Sequence, residues 1–255
     1  MELRVLGCHG GETPRHRTTA FLLNDRLAID AGSLTSQLEL PDQDKLDGVL
    51  VSHAHLDHVR DLATIADNRS QRGCGPLKVI AARPTIEHLK RHFFNDVLWP
   101  DFAAIPTQEQ PTIEYVEIPV DQCTEVLGYK VTPIEVNHTI ESVGFIIDDG
   151  TGTIGFSGDT GPTKRFWDRL NEQDNVKALL MEVSFPNAEA GLATVSGHHT
   201  PQTLREDLQK YRAPQDLPTM LYHIKPQFQA EVEKECAKLK RVNLHVLNLT
   251  DQFIL

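Results

Sequence analysis

The stretch VLVSHAHLDHV, residues 49–59, places three histidines and an aspartate within six positions directly behind an apolar run. The apolar run has the continuous hydrophobicity of a strand that is covered on both faces. Alternate side chains of an extended segment point the same way, so we expect His53, His55 and Asp57 to converge. His58 breaks this alternation, which predicts that the chain turns there. Four potential ligands are therefore tied to the end of one buried strand.

The types of these side chains indicate a metal site with hydrolytic chemistry. Imidazole and carboxylate ligands without thiolate suit a catalytic Zn, Mn or Fe ion more than a structural zinc. A catalytic zinc keeps one position open for water and lowers the pKa of that water to about 7. A solvated, histidine-rich turn is the alternative, but four candidate ligands in six residues behind a buried strand favour a metal.

Three further candidate ligands occur at the ends of later apolar runs. His138 lies in VTPIEVNHTIESVGF between two strand-like segments, and Asp159 lies in GTIGFSGDTG between glycines that let the backbone turn tightly. His223 ends the apolar run PTMLYH. We expect each of them to lie at the C-terminal end of a strand, where open sheets commonly build sites.

Short strand-like runs recur along the whole chain and are separated by few helical stretches. This pattern predicts the α/β class, with sheets packed inside a helical shell. No long Gly/Ser/Pro linker divides the chain, so we expect a single domain over residues 1–255. A short helix is expected to begin at His58 or Val59. Helical spacing also predicts helices over residues 84–98, 201–211 behind the N-cap Thr200, and 227–239.

Composition narrows the partners and the compartment. The formal net charge is −11 and no Lys/Arg-rich run occurs, which argues against a large nucleic-acid surface. No apolar run approaches the roughly 20 residues of a membrane span, and MELRVLG lacks the features of a secretory signal. The cysteines are widely spaced and form no CxxC pair, which is typical of reduced thiols in a cytoplasmic protein. They are Cys8, Cys74, Cys123 and Cys236.

The HxHxDH run, the lone His138, the SGDT aspartate and the strand-ending His223 resemble the metallo-β-lactamase fold in type and order. That fold is the four-layer αββα sandwich of dinuclear hydrolases, and the resemblance covers nearly the whole chain. It implies two divalent metal ions, with Zn favoured and Mn or Fe open. It also implies that Asp57 orients the water that acts as nucleophile. One metal ion would be held by His53, His55 and His138, the other by Asp57, His58 and His223, with Asp159 bridging them.

Three blocks beyond these ligands are similar to the class II cyclic-nucleotide phosphodiesterases. They are RHFFNDVLWPDF (residues 91–102), KALLMEVSFPN (177–187) and SGHHTPQTL (196–204). The resemblance implies hydrolysis of cAMP or cGMP to the 5′-monophosphate. The chain departs from the family pattern at Asp61, where a small residue is usual, and at His199, where SGHLTP is usual.

Opening a 3′,5′-cyclic phosphodiester also requires a proton for the leaving 3′-oxygen. A histidine oriented by a carboxylate is the natural donor. His198 and Glu182 could form this pair, and ribonuclease Z resembles the chain here, with a His-Ser-Thr segment and an upstream glutamate. Adjacent residues point apart, so only one of His198 and His199 should reach the phosphate. We expect it to be His198, while His199 stays open.

Two other functions remain as alternatives. One is another hydrolase of the same fold, which processes tRNA 3′ ends as ribonuclease Z does or cleaves another phosphodiester or a lactone. The other is a non-catalytic, metal-binding regulatory module. Two divalent ions would focus positive charge in one cleft of an acidic protein, which favours a small anionic nucleotide over a long polyanion. A homodimer is compatible with the resemblance, because many proteins of this fold form pairs.

Overall fold

Two mixed β-sheets form the centre of the molecule. The computed structural model describes residues 1–212, 216–239 and 243–255. Within these ranges the strands are β1 Glu2–Gly7, β2 Ala20–Leu23, β3 Leu27–Ile29, β4 Gly48–Val51, β5 Leu77–Ala81, β6 Ile113–Glu117, β7 Thr124–Val126, β8 Tyr129–Glu135, β9 Val143–Asp148, β10 Thr153–Phe156, β11 Val176–Glu182, β12 Thr219–Tyr222, β13 Leu244–Val246 and β14 Gln252–Ile254. The α-helices are α1 Leu40–Asp44, α2 Leu56–Arg72, α3 Arg83–His88, α4 Arg165–Leu170, α5 Ala190–Ser196, α6 Pro201–Leu208 and α7 Gln229–Cys236.

The strand order aligns many C-terminal strand ends at one edge of each sheet. The first sheet has the order β14-β1-β2-β3-β4-β5-β6, and β3 to β6 run parallel, with Leu50 opposite Ile80. The second has the order β13-β12-β11-β10-β9-β8-β7, and β10 to β13 run parallel. Both β8 and β10 pair antiparallel with β9, so β8 points the same way as β10. Loops that follow these strands therefore meet at a common edge.

The burial pattern arranges the chain in four layers. Leu50 and Ile80 of the first sheet share one apolar cluster with Phe145 and Phe156 of the second, which places this cluster between the sheets. Side chains on the opposite faces pack outward against helices. Val49 belongs to a cluster with residues of α2, and the second sheet packs against α4, α6 and α7. The predicted α/β class and αββα sandwich are confirmed.

The helix after the histidine run begins earlier and is longer than the sequence indicated. His55 is the N-cap with an extended backbone, and α2 runs for 17 residues to Gly73, whose left-handed conformation ends it. The predictions of a short helix from His58 or Val59, and of an extended backbone through Asp57, are therefore wrong. Residues such as Val59 and Leu62 recur at helical spacing and pack on the first sheet, which stabilises the longer helix.

The other predicted helices agree in position and differ in length. Thr200 caps α6, and its hydroxyl accepts the backbone N–H of Thr203, as expected for an N-cap. The helix predicted over residues 84–98 is observed as α3, Arg83–His88, followed by a π-helical turn over Leu89–Phe93. It therefore ends earlier than predicted. The last one, α7, follows a short 3₁₀ turn. Within the described ranges, no helix combines the length and apolar character needed to cross a bilayer.

Candidate active site

Seven candidate metal ligands converge at the edge where the strands end. His53 and His55 follow β4, and Asp57 and His58 lie in the first turn of α2. The other three come from the second sheet, after β8, β10 and β12: they are His138, Asp159 and His223. The sites expected at C-terminal strand ends are thus brought together from both sheets.

The first group of donors consists of three imidazoles. His53 Nε2 lies 3.0 Å from His55 Nδ1, and the same His55 atom lies 3.1 Å from His138 Nε2. One nitrogen atom from each of the three lies within 4.8 Å of the others, which is close enough to share a single ion. His138 is oriented by its other ring nitrogen, which lies 3.0 Å from the carbonyl oxygen of Gly197.

The second group combines Asp57, His58 and His223, whose donor atoms also lie within 4.8 Å of one another. Asp57 Oδ2 is 3.4 Å from His223 Nε2 and 4.0 Å from His58 Nε2. Asp159 lies between the two groups. Its Oδ2 is 3.1 Å from the Nε2 atoms of His58 and His223 and 3.9 Å from His53 Nε2.

The protonation and burial of five of these side chains fit divalent cations. Burial lowers the pKa of four of the imidazoles, which leaves their lone pairs free: His53, His55, His138 and His223. Burial raises the pKa of Asp159, but the neighbouring His223 and His58 lower it well below its usual range. Its buried Oδ1 makes no hydrogen bond within the described part of the chain, as expected of an atom that coordinates an ion.

The geometry also permits other ligand trios. Donor atoms of His138, Asp159 and His198 lie within 4.8 Å, and so do those of Glu182, His198 and His223. His198 therefore borders both metal groups, and distance alone does not separate a ligand from a catalytic neighbour.

Asp30 supports the site and was missed by the sequence reasoning. Its carboxylate accepts the backbone N–H and the hydroxyl of Ser52, at 2.8 and 2.9 Å, and lies 2.7 Å from His58 Nδ1. Burial lowers the pKa of His58, but the carboxylates of Asp159 and Asp30 outweigh burial and hold it well above its usual value. The signal was present in RLAIDAG, where an aspartate follows a strand-like run as Asp159 does.

Glu182 and His198 lie together beside the metal donors. Glu182 ends β11, and its Oε1 is 3.2 Å from His198 Nδ1. The Ser184 hydroxyl donates to Glu182 Oε2 at 3.0 Å and lies 3.2 Å from His198 Nδ1. Burial raises the pKa of Glu182 to about 7 and lowers that of His198. The Glu182 carboxyl group can therefore exchange a proton near neutral pH.

His199 points away from the metal donors. Its Nδ1 lies 3.0 Å from Thr203 Oγ1, and its Nε2 lies 3.7 Å from Asp207 Oδ2. The ring of His198, in contrast, is 5.0 Å from that of His138 and 5.2 Å from that of His223, between centroids. The neighbouring side chains point apart, and His198 is the one that faces the candidate ligands.

The unusual Asp61 has a structural role. It accepts hydrogen bonds from the backbone N–H and hydroxyl of Thr35, both at 2.7 Å, and from Arg60 Nε at 3.0 Å. Arg60 also bonds Glu12 at 3.0 Å, which ties α2 to the loop between β1 and β2. This departure from the family pattern therefore fixes loops around the site and adds no ligand to the two metal groups described above.

Comparisons with known proteins agree with the fold described above. A family model described as "Beta-lactamase superfamily domain" matches residues 25–247. The probable 3′,5′-cyclic-nucleotide phosphodiesterase of Yersinia pestis is 26% identical over 279 aligned positions, which cover 89% of this chain and 79% of that protein. Unliganded yeast PDE1 superimposes with a TM-score of 0.84 at 18% identity, over 100% of this chain and 99% of that chain. The metallo-β-lactamase fold protein YhfI from Bacillus subtilis gives a TM-score of 0.80 at 19% identity, over 99% of both chains.

Proposed function

The chain belongs to the beta-lactamase superfamily, and on this premise we propose that it is a metal-dependent phosphodiesterase that opens 3′,5′-cyclic nucleotides to 5′-monophosphates. The observation that carries the proposal is the Glu182–His198 pair, which lies beside two groups of metal donors. A proton donor next to a metal centre suits an ester whose leaving oxygen is a poor leaving group. The names of the relatives support a 3′,5′-cyclic nucleotide as the substrate, and we propose cAMP or cGMP.

We propose two zinc ions as the resident metals. His53, His55 and His138 would hold one ion, Asp57, His58 and His223 the other, and Asp159 would bridge them. The nitrogen and oxygen donor set also accepts Mn or Fe. When bound, such ions supply an activated water and neutralise the charge on the phosphoryl oxygens.

Asp57 is suited to orient the attacking water. Its side chain is 31% exposed, which makes it the most accessible member of its metal group. Burial raises the pKa of Asp57, but the neighbouring imidazoles of His223 and His58 outweigh burial and lower it far below its usual range. The carboxylate is therefore ionised at neutral pH and accepts a hydrogen bond from the water.

His198 is suited to protonate the leaving 3′-oxygen. The raised pKa of Glu182, about 7, lets this carboxyl group hold or release a proton near neutral pH, and its Oε1 lies 3.2 Å from His198 Nδ1. When that proton lies on Nδ1, the carboxylate stabilises the imidazolium, and Nε2–H is free to donate to the departing oxygen. Ser184, which bonds Glu182 and lies beside Nδ1, fixes the orientation of the ring.

A substrate panel on one metal-quantified preparation tests the proposal. We expect protein loaded with Zn or Mn to release 5′-AMP from cAMP or 5′-GMP from cGMP, and to leave pre-tRNA intact. Turnover of pre-tRNA, of another ester or of a lactone, without turnover of either cyclic nucleotide, would contradict it. A metal-loaded sample that is inert on every substrate, and whose Asp57→Ala variant changes only the binding of a partner, would favour the regulatory module.

The proposed substrate is a small anion, and the charge of the chain supports this size. A net charge of −11 repels a long polyanion, while metal ions in one cleft attract a single phosphate.

We also propose that the protein forms a homodimer, which sedimentation of the metal-loaded protein would detect.

A further inference from the structure

We propose that a small apolar pocket beside the first metal group binds the nucleobase of the substrate. This inference rests on the proposed function and names the part of the site that recognises the base. The pocket has a volume of about 220 Å³. Its walls include Ala54, Leu56, His88, His92, Phe93 and Ile140. It is called the base pocket below.

Three residues of the base pocket are close neighbours of candidate metal ligands along the chain. Ala54 lies between His53 and His55, and Leu56 lies between His55 and Asp57. Ile140, on the opposite wall, follows His138 by two residues. The walls of the base pocket therefore lie only one or two residues from candidate metal ligands along the chain.

The composition of the base pocket suits a flat aromatic ring. The rings of His88 and His92 stack with centroids 6.1 Å apart, and Phe93 adds a third ring. Leu56 is 60% exposed although it lies between two candidate ligands, so its side chain is available to cover a bound group. Stacking on aromatic rings accepts any base, because every base has a π-face.

The size of the base pocket suits a fragment rather than a whole ligand. Pockets that enclose drug-sized molecules measure roughly 300–1,000 Å³, and this one is smaller. A single heterocycle therefore fills it while the ribose and phosphate remain at the metal donors. Glu141, whose Oε2 lies 3.4 Å from His88 Nε2, adds a polar group at its rim.

A second cleft has a different lining. It measures about 890 Å³ and combines the rings of His16 and Phe185 with charged and amide side chains, among them Glu12, Arg15, Lys225 and Gln227. Among the residues that the structure describes, the lining of the base pocket contains no Asp, Glu, Lys or Arg side chain, whereas that of the second cleft includes Glu12, Arg15 and Lys225. An uncharged heterocycle is better matched by the uncharged lining, which favours the base pocket.

Binding of 5′-AMP and of ribose 5-phosphate to zinc-loaded protein tests the inference without turnover. We expect calorimetry to show that the wild type binds 5′-AMP about 5- to 100-fold more tightly than ribose 5-phosphate, because only AMP carries a base to stack. In the variant His88→Ala/His92→Ala this ratio of affinities should fall to within twofold of one, while the affinity for ribose 5-phosphate stays unchanged. Gln227→Ala in the second cleft is the control, and it should keep the wild-type ratio.

Three results would overturn the inference: equal binding of the two ligands by the wild type, an unchanged ratio in the double variant, or a collapsed ratio in Gln227→Ala. The exposed His92→Ala single variant guards against misfolding and should lower the ratio partway. The proposed function is judged separately by cAMP and cGMP turnover. A wild type that prefers AMP but hydrolyses no cyclic nucleotide supports the base pocket and contradicts the function.

Discussion

Glu182 and His199 are joined through the backbone, because the Glu182 carboxylate accepts the His199 N–H at 2.9 Å. The same oxygen, Oε1, lies 3.2 Å from His198 Nδ1. The His199 side chain lies on the other side of the loop, against Thr203 and Asp207 of α6. His199 thus anchors the loop to α6, while its neighbour His198 faces the candidate metal ligands.

Replacing Glu182 by Gln should lower kcat for cAMP by about 10²- to 10⁴-fold with little change in KM. The amide keeps an oxygen for the His199 N–H but cannot stabilise a positive charge on His198. Release of 5′-AMP is measured together with the metal content of the same sample. Glu172→Gln, at an exposed ion pair with Arg169, is the matched control and should behave as wild type. Loss of metal in Glu182→Gln would instead identify Glu182 as a ligand.

Replacing His198 by Ala should impair cAMP hydrolysis far more than hydrolysis of bis(p-nitrophenyl) phosphate. The 3′-alkoxide needs a proton as it leaves, whereas p-nitrophenolate leaves without one. We expect a loss of about 10²- to 10⁴-fold on cAMP and less than about tenfold on the activated ester. The kcat values of both substrates on one preparation give the comparison.

His199→Leu is the control for that experiment. This variant introduces the residue that is usual in the family and removes only the contacts to Thr203 and Asp207. It should change kcat by a similar, small factor on both substrates. A loss confined to cAMP in His199→Leu, with His198→Ala unaffected, would assign the proton donor to His199.

Replacing Asp30 by Asn should weaken zinc affinity by about 10- to 100-fold, because groups that orient ligands tune the metal. Asn tolerates the left-handed backbone of this residue, whose φ is 57°, so the fold should survive. Competition with a chromophoric chelator measures the affinity. Asp47→Asn, at the surface pair with Arg26, provides the control. Equal affinities for the two variants would show that the contact with His58 does not support the site.

His9 should make the protein less stable in mild acid, because its imidazole stays neutral in the folded chain. Burial and the neighbouring His16 lower the pKa of His9 to about 4. Between the ordinary pKa near 6.5 and this value, the unfolded chain binds a proton that the folded chain does not, so stability falls as the pH drops through this window. His9→Gln should reduce that fall by up to about 2 kcal/mol. Urea unfolding of the metal-free protein at pH 7 and pH 5 gives the free energy of unfolding at each pH. The variant His245→Gln, at an exposed histidine, is the control. An equal pH dependence in both variants would exclude His9 as the cause.

The sequence predicted the site best where metal-binding residue types directly follow a strand-like apolar run. Ligand types crowded behind one strand, and single ligands after later strands, predicted the groups that the structure brings together. The start of α2 could not be inferred from alternation, because its packing against the first sheet decides where the helix begins. Asp30 was missed because its partners, Ser52 and His58, are 22 and 28 residues away and only the strand pairing brings them close. The single domain and the cytoplasmic location stay predictions.

The candidate ligands are divided between the two sheets, and this division makes metal retention a report on assembly. A ribosome completes His53, His55, Asp57 and His58 well before His138, Asp159 and His223 emerge. Neither sheet, with the loops that follow its strands, carries all the ligands of either metal group. Tight metal binding must therefore wait until the two sheets have packed face to face. A chain that holds metal tightly has therefore brought its two sheets together. Tightly bound metal per chain then gives the minimum fraction of correctly assembled protein, independently of any substrate.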